Sequence, residues 1–123
     1  MTVGDVLIVD DDRMNLIILE KLVCAMGVEV ATCSSGAQAL EELQATAWRV
    51  VLLDMQMPEM DGPETARRIR ALGEAISQPK IVALTAFVDE SVQQTAHAAG
   101  MDAVMSKPLD RSALQRVLDT ANL

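Results

Sequence analysis

The chain has 123 residues, enough for one domain that buries roughly two-thirds of its unfolded surface. Half of its residues are hydrophobic, yet it has one Trp, one Phe and no Tyr, so the core must be aliphatic and an aromatic stacking platform for single-stranded nucleic acid is excluded. A formal net charge of −8 argues against a binder of phosphate backbones, which needs clustered Lys and Arg, and favours a cation, or a phosphoryl group that arrives with one.

The first element is a continuous apolar run, Val6-Leu7-Ile8-Val9, ending in Asp10, Asp11 and Asp12. Such a run reads as a buried parallel strand. Leu16, Leu19, Leu22, Val23 and Met26 then recur at helical spacing, with Asp12 as the expected cap and Gly27 as the stop. Four apolar residues in a row, Leu16 to Leu19, cannot all face a core, so Ile17 or Ile18 is expected at the surface. Val28 to Thr32 alternates as a short strand. Ser34 or Ser35 caps a helix through Gln44, with Ala37, Leu40 and Leu43 expected inward.

Trp48 leads into Val50-Val51-Leu52-Leu53, a second apolar run that also ends in acid, Asp54. Pro58 and Asp61-Gly62 then stop any regular element, and Pro63 opens a helix to about Leu72. Ala66, Ile69 and Ala71 or Leu72 are expected to pack inward, with Arg67, Arg68 and Arg70 largely solvated. Lys80 to Leu84 is the fourth strand, ending in Thr85. Asp89 or Ser91 starts a helix to Ala99, closed by Gly100. Ala103 to Met105 is the fifth strand, followed by Ser106-Lys107-Pro108, and Asp110 caps a last helix carrying Leu114, Val117 and Leu118.

Cys24 and Cys33 lack metal-type spacing and read as reduced thiols. No apolar stretch approaches the ~20 residues of a membrane span, and Met1 to Asp5 lacks the basic flank of a signal peptide. The expectation is a soluble, cytoplasmic protein. His97, the only histidine, reads as a surface residue, and the methionines as core filler or loop residues.

Strand and helix alternate throughout, which means an α/β fold: a parallel sheet with helices on both faces. Each crossover returns the chain to the same edge, so Asp10, Asp11, Asp54, Thr85 and Lys107 all lie at strand carboxyl ends, where open sheets place their ligands. A single strand-end Asp is usually a turn or cap residue; acids recurring at two strand ends make a site. Carboxylates converging there repel one another, and a hard divalent cation relieves this. Mg²⁺ suits a couple of carboxylates, a backbone carbonyl and waters. With Thr85 and Lys107 opposite, the group forms a cradle for a phosphoryl group, in which Asp54 is the nucleophile.

DDD after the first strand, LLDMQMPEMDG at the third, LTA after the fourth and SKP after the fifth together resemble the receiver domain of two-component response regulators and hybrid histidine kinases. The resemblance spans about Asp5 to Leu118. It implies a flavodoxin-like (βα)5 fold with strand order 2-1-3-4-5, and one receiver domain over residues 1–123. It further implies that Asp54 accepts a phosphoryl group from a phosphohistidine on a histidine kinase or histidine phosphotransfer domain. Asp11 would bind Mg²⁺ directly and Asp10 mainly through water, with Asp54 and the backbone carbonyl of Gln56 as further ligands, while Asp12 remains a cap. Thr85 would be the switch hydroxyl and Lys107 the ion-pair partner, followed by a cis peptide bond to Pro108.

One position departs from the family. Three residues before the lysine, where relatives typically carry Tyr or Phe, stands Val104, so signalling is expected to rely on the loop after Thr85, including Phe87, or on passing the phosphoryl group onward. Bulk at Gln56 and Phe87 implies a moderately long-lived phosphoryl-aspartate. Such a domain catalyses its own phosphorylation and dephosphorylation, without nucleic acid or membrane contact, as a monomer or weak dimer. It is either a stand-alone regulator or a segment of a longer protein. Two other readings compete. A phosphohydrolase with an aspartyl nucleophile would carry a second Asp where Gln56 stands, and a degenerate receiver serving only as an interaction module would lack phosphorylation residues that are all present.

Overall fold

The computed structural model describes residues 3–121. Strands β1 (Val3–Val9), β2 (Val30–Cys33), β3 (Ala47–Asp54), β4 (Lys80–Thr85) and β5 (Ala103–Ser106) alternate with helices α1 (Arg13–Cys24), α2 (Gly36–Ala45), α3 (Gly62–Ala71), α4 (Glu90–Ala98) and α5 (Arg111–Thr120). All strand pairs are parallel, and the sheet order is β2-β1-β3-β4-β5, as the family resemblance implies. None of the described helices is long and apolar enough to cross a membrane.

Side chains alternate across the sheet, and this divides the continuous apolar runs between two cores. Leu7, Val9, Val51, Leu53, Ile81 and Ala83 face α2, α3 and α4, where Ala39, Leu43, Ala66, Ile69 and Ala96 meet them. Val6, Ile8, Val50, Leu52, Val82 and Leu84 face α1 and α5, against Leu16, Leu19, Val23, Leu114, Val117 and Leu118. The central strands are apolar on both faces because both faces are covered. That burial is what holds their polar carboxyl ends in fixed register.

Several local expectations shift. β1 and β3 each begin three residues earlier than their apolar runs, and their register pairs Gly4 with Trp48. The indole fills the space above the glycine, where an added Cβ would lie 2.3 Å from the ring, and its Nε1 donates to Glu42 Oε1 at 3.3 Å. In α2, capped by Ser35, the inward face is Gly36, Ala39 and Leu43. Ala37 is exposed and Leu40 packs half-buried at the edge of this face, because the stripe that meets the sheet runs through positions 36, 39 and 43 at i, i+3, i+7 spacing. Ala71 is exposed, and Arg70 is not a solvated residue. Its guanidinium donates to Gly100 O at 2.9 Å, to Pro79 O and Gln78 Oε1 at 2.8 Å, and to Asp102 Oδ2 at 2.9 Å.

Candidate functional site

Strand pairing assembles the site. Val9 of β1 lies opposite Leu53 of β3, so the next residues, Asp10 and Asp54, emerge side by side; Asp54 in turn pairs with Leu84, and Thr85 with Ser106. Asp10 is wholly buried and Asp54 nearly so, whereas Asp11 is exposed. Lys107 reaches in from the end of β5, with Nζ 3.1 Å from Asp54 Oδ1 and 3.4 Å from Asp10 Oδ2. Carboxylate oxygens of Asp10, Asp11 and Asp54 lie within 4.8 Å of one another.

Backbone groups set these side chains. The Gln56 N–H donates to Asp54 Oδ1 at 3.2 Å, and the Asp12 N–H to Asp10 Oδ1 at 2.9 Å. The loop after Asp54 is tied to β4 through Met55 N–H to Leu84 O at 2.9 Å and folds back through Gly62 N–H to Met55 O at 3.1 Å. Only glycine fits at 62, since a Cβ there would sit 2.4 Å from Asp54 O and 2.7 Å from Met55 Cα. Asp61 caps α3 by accepting from Glu64 N–H at 2.9 Å. On the other side, the Lys107 N–H donates to Thr85 O at 2.7 Å, and the Lys107–Pro108 bond is cis, as the resemblance implies.

The two buried acids are driven apart in acidity. Burial pushes the Asp54 carboxyl up, and the neighbouring Asp10 charge adds to this; the Gln56 N–H and Lys107 offset only part, leaving it raised. For Asp10, burial is again the largest influence and acts upward. Hydrogen bonds from Asp12 and Asn15, with the Lys107 charge, outweigh it and hold the carboxyl below its ordinary value. Burial works against the Lys107 ammonium, yet Asp54 and Asp10 together raise it. The sum is an acid-rich pocket with one ammonium, whose donor set is hard oxygen, the chemistry of Mg²⁺ or Ca²⁺.

Of the residues singled out in the sequence, the structure brings together Asp10, Asp11, Asp54 and Lys107. Gln56 is exposed and touches the group through its N–H to Asp54. Thr85 stands at the adjacent strand end, but its hydroxyl is turned into the following loop, donating to Phe87 O at 3.1 Å and accepting from Phe87 N–H at 3.4 Å. Asp12 caps α1, accepting from Met14 and Asn15 N–H groups, and is outside the carboxylate cluster. Met14, Ile17 and Ile18 are exposed on α1, and Phe87 is exposed beyond Thr85. Val104 is half-buried and His97 exposed. Asn15 was not singled out by the sequence; its amide Nδ2 donates to Asp10 Oδ2. The signal that could have found it is a polar residue one turn into a helix whose cap follows an acidic pair.

Comparison with known proteins gives the same architecture and sequence pattern. The family model described as "Response regulator receiver domain" matches residues 6–119. The chain is 38% identical over 120 residues to hybrid signal transduction histidine kinase L of Dictyostelium discoideum, covering 94% of this chain and 7% of that protein. Across several curated relatives the chain spans between 7% and 26% of their length. A solved chemotaxis protein, CheY4 of Vibrio cholerae, superposes with a TM-score of 0.89 at 26% identity, covering 98% of this chain and 99% of that one. The receiver domain of a sensor histidine kinase from Pseudomonas aeruginosa PAO1, described with a magnesium ion coordinated in its active-site cleft, gives a TM-score of 0.85 at 29% identity over 95% of each chain. With the family model running from the first strand into the last helix over this sheet order, the chain belongs to the response regulator receiver domains of two-component signalling.

Proposed function

We propose that Asp54 is the phosphoryl acceptor of a phosphorelay and that Asp10, Asp11, Asp54 and the Gln56 carbonyl hold Mg²⁺ beside it. The observation that carries this reading is the placement of Lys107 against both buried acids while Asp11 remains open to solvent. The donor is a phosphohistidine on a histidine kinase or histidine phosphotransfer domain. As the P–O bond to Asp54 forms, the donor's P–N bond breaks and its imidazolium leaves as neutral imidazole. Bound Mg²⁺ would supply charge neutralisation for the acids and the transferring oxygens.

This chain's own groups do the rest. Lys107, already 3.1 Å from Asp54 Oδ1, orients the carboxylate and takes up a phosphoryl oxygen once transfer is complete. Thr85 leaves its bond to the Phe87 carbonyl to donate to another, and that release loosens the β4–α4 loop. With Val104 in place of a bulkier ring, the loop carries the change of state. The two free thiols, Cys24 and Cys33, fit a reducing cytoplasmic setting.

The test is to offer the chain a panel of phosphorylated histidine donors with and without Mg²⁺. Label should appear only with Mg²⁺ and vanish in Asp54→Asn, whereas label retained on that variant would show that another residue is the acceptor.

A further inference from the structure

Asn15 occupies the third position of α1, after the cap residue Asp12. In an ordinary capping box the side chain at this position reaches back to the N–H of the cap residue. Here the N–H of the cap residue is used elsewhere, and the side chain at the third position turns its nitrogen to the same acceptor. The Asp12 N–H donates to Asp10 Oδ1 at 2.9 Å, and the Asn15 amide donates to Asp10 Oδ2. The start of α1 thus forfeits a local stabilising contact and places two N–H donors, one on each oxygen, on a carboxylate with no exposed surface.

Lys107 contacts the same Oδ2 at 3.4 Å. Asn15 and Lys107 therefore share one oxygen, and the amide decides how closely the ammonium can claim it. We infer that Asn15 is a positioning residue for divalent-cation binding: by fixing Asp10 Oδ2 it keeps this carboxylate turned toward Asp11 and Asp54 and open to a metal rather than closed onto Lys107. This rests on the metal site proposed above. The role assigned to Asn15 runs through its nitrogen, which is committed to Asp10 Oδ2. A side chain of the same size without a donor would leave Oδ2 to the ammonium and exclude the water that could replace the amide.

The experiment is a calorimetric titration of the full chain with MgCl₂, comparing the unaltered protein with Asn15→Leu and Asn15→Gln, each checked for folding by its thermal transition in EDTA. Groups that hold a ligating side chain in place typically govern metal affinity by about 10–100-fold. Asn15→Leu should weaken Mg²⁺ binding by roughly 10-fold or more, and Asn15→Gln, which keeps the amide donor, should recover most of it. If the leucine variant unfolds, Asn15→Met, which also lacks a donor and fills the same space, is read in its place. Unchanged affinity in the variant without a donor, or equal losses in the leucine and glutamine variants, would overturn the inference while leaving the metal site intact. An unaltered chain that binds no Mg²⁺ would remove both the site and the role of Asn15.

Discussion

Burial, with the adjacent Asp10 charge, raises the Asp54 carboxyl above its ordinary range, so in metal-free protein the native state binds this proton more tightly than the unfolded chain. The stabilising contribution of such a group is fully present below the unfolded pKa and is lost as pH rises through the folded one. At neutral pH, ionised Asp54 is therefore a net cost to the fold. Asn at this position keeps an oxygen for the Gln56 N–H and Lys107 and removes the charge. Asp54→Asn should stabilise the metal-free protein at pH 7 by on the order of 1 kcal/mol, the scale of a single substitution, because it removes one of two adjacent buried carboxylates while Asp10 remains as the partner of Lys107. Melting curves in EDTA from pH 7 downward should show the advantage shrinking toward the ordinary aspartate range, where the native carboxyl is already protonated; an advantage that grows on acidification would contradict the account.

At the scale of elements, Arg70 ties the helix α3 to the segments that lead into β4 and β5. Its fork reaches the carbonyls of Pro79 and Gly100 and the carboxylate of Asp102, which also accepts from Ile81 N–H at 2.8 Å. The exposed part of this ion pair contributes little, but the carbonyls need donors that only a planar fork can serve together. Arg70→Ala should cost about 2 kcal/mol in denaturant unfolding, and Arg70→Lys should restore less than half of it. A lysine variant as stable as the parent would show that charge alone suffices. The same residue marks the limit of sequence reasoning. Helical spacing leaves Arg70 off the apolar stripe and so expects it solvated, but its partners come from the segments before β4 and β5, 8 to 32 residues away, which no local pattern encodes. The starts of β1 and β3 were hidden likewise, because Gly4 and Trp48 make sense only as a cross-strand pair. What was legible were the buried strands and their acidic ends, where a run of apolar residues stops at a charge. Asn15 was not legible because its meaning depends on where Asp10 points, and the Thr85 hydroxyl, placed by its strand, could not be oriented by sequence.

Over the whole molecule, the site draws on β1, β3, β4 and β5 at once, with no ligand set contained in one segment. An ion held by Asp10, Asp11 and Asp54 therefore recognises only the folded sheet, and its binding free energy adds to folding stability: about 2.7 kcal/mol when Mg²⁺ stands at 100 times its dissociation constant. With the proposed metal site, the repulsion between buried acids that penalises the metal-free fold would become, on cation binding, the interaction that secures it. Asp54→Asn removes both the repulsion and one of the proposed ligands, so the two proteins should exchange rank. In EDTA the variant melts higher. In excess Mg²⁺ the unaltered chain gains and overtakes it, while NaCl at matched ionic strength, which only screens the net charge of −8, should move the two together. Parallel shifts in Mg²⁺ and NaCl would mean that the acids meet a diffuse ion atmosphere and that the carboxylates at the sheet's end do not act as a single chelating group.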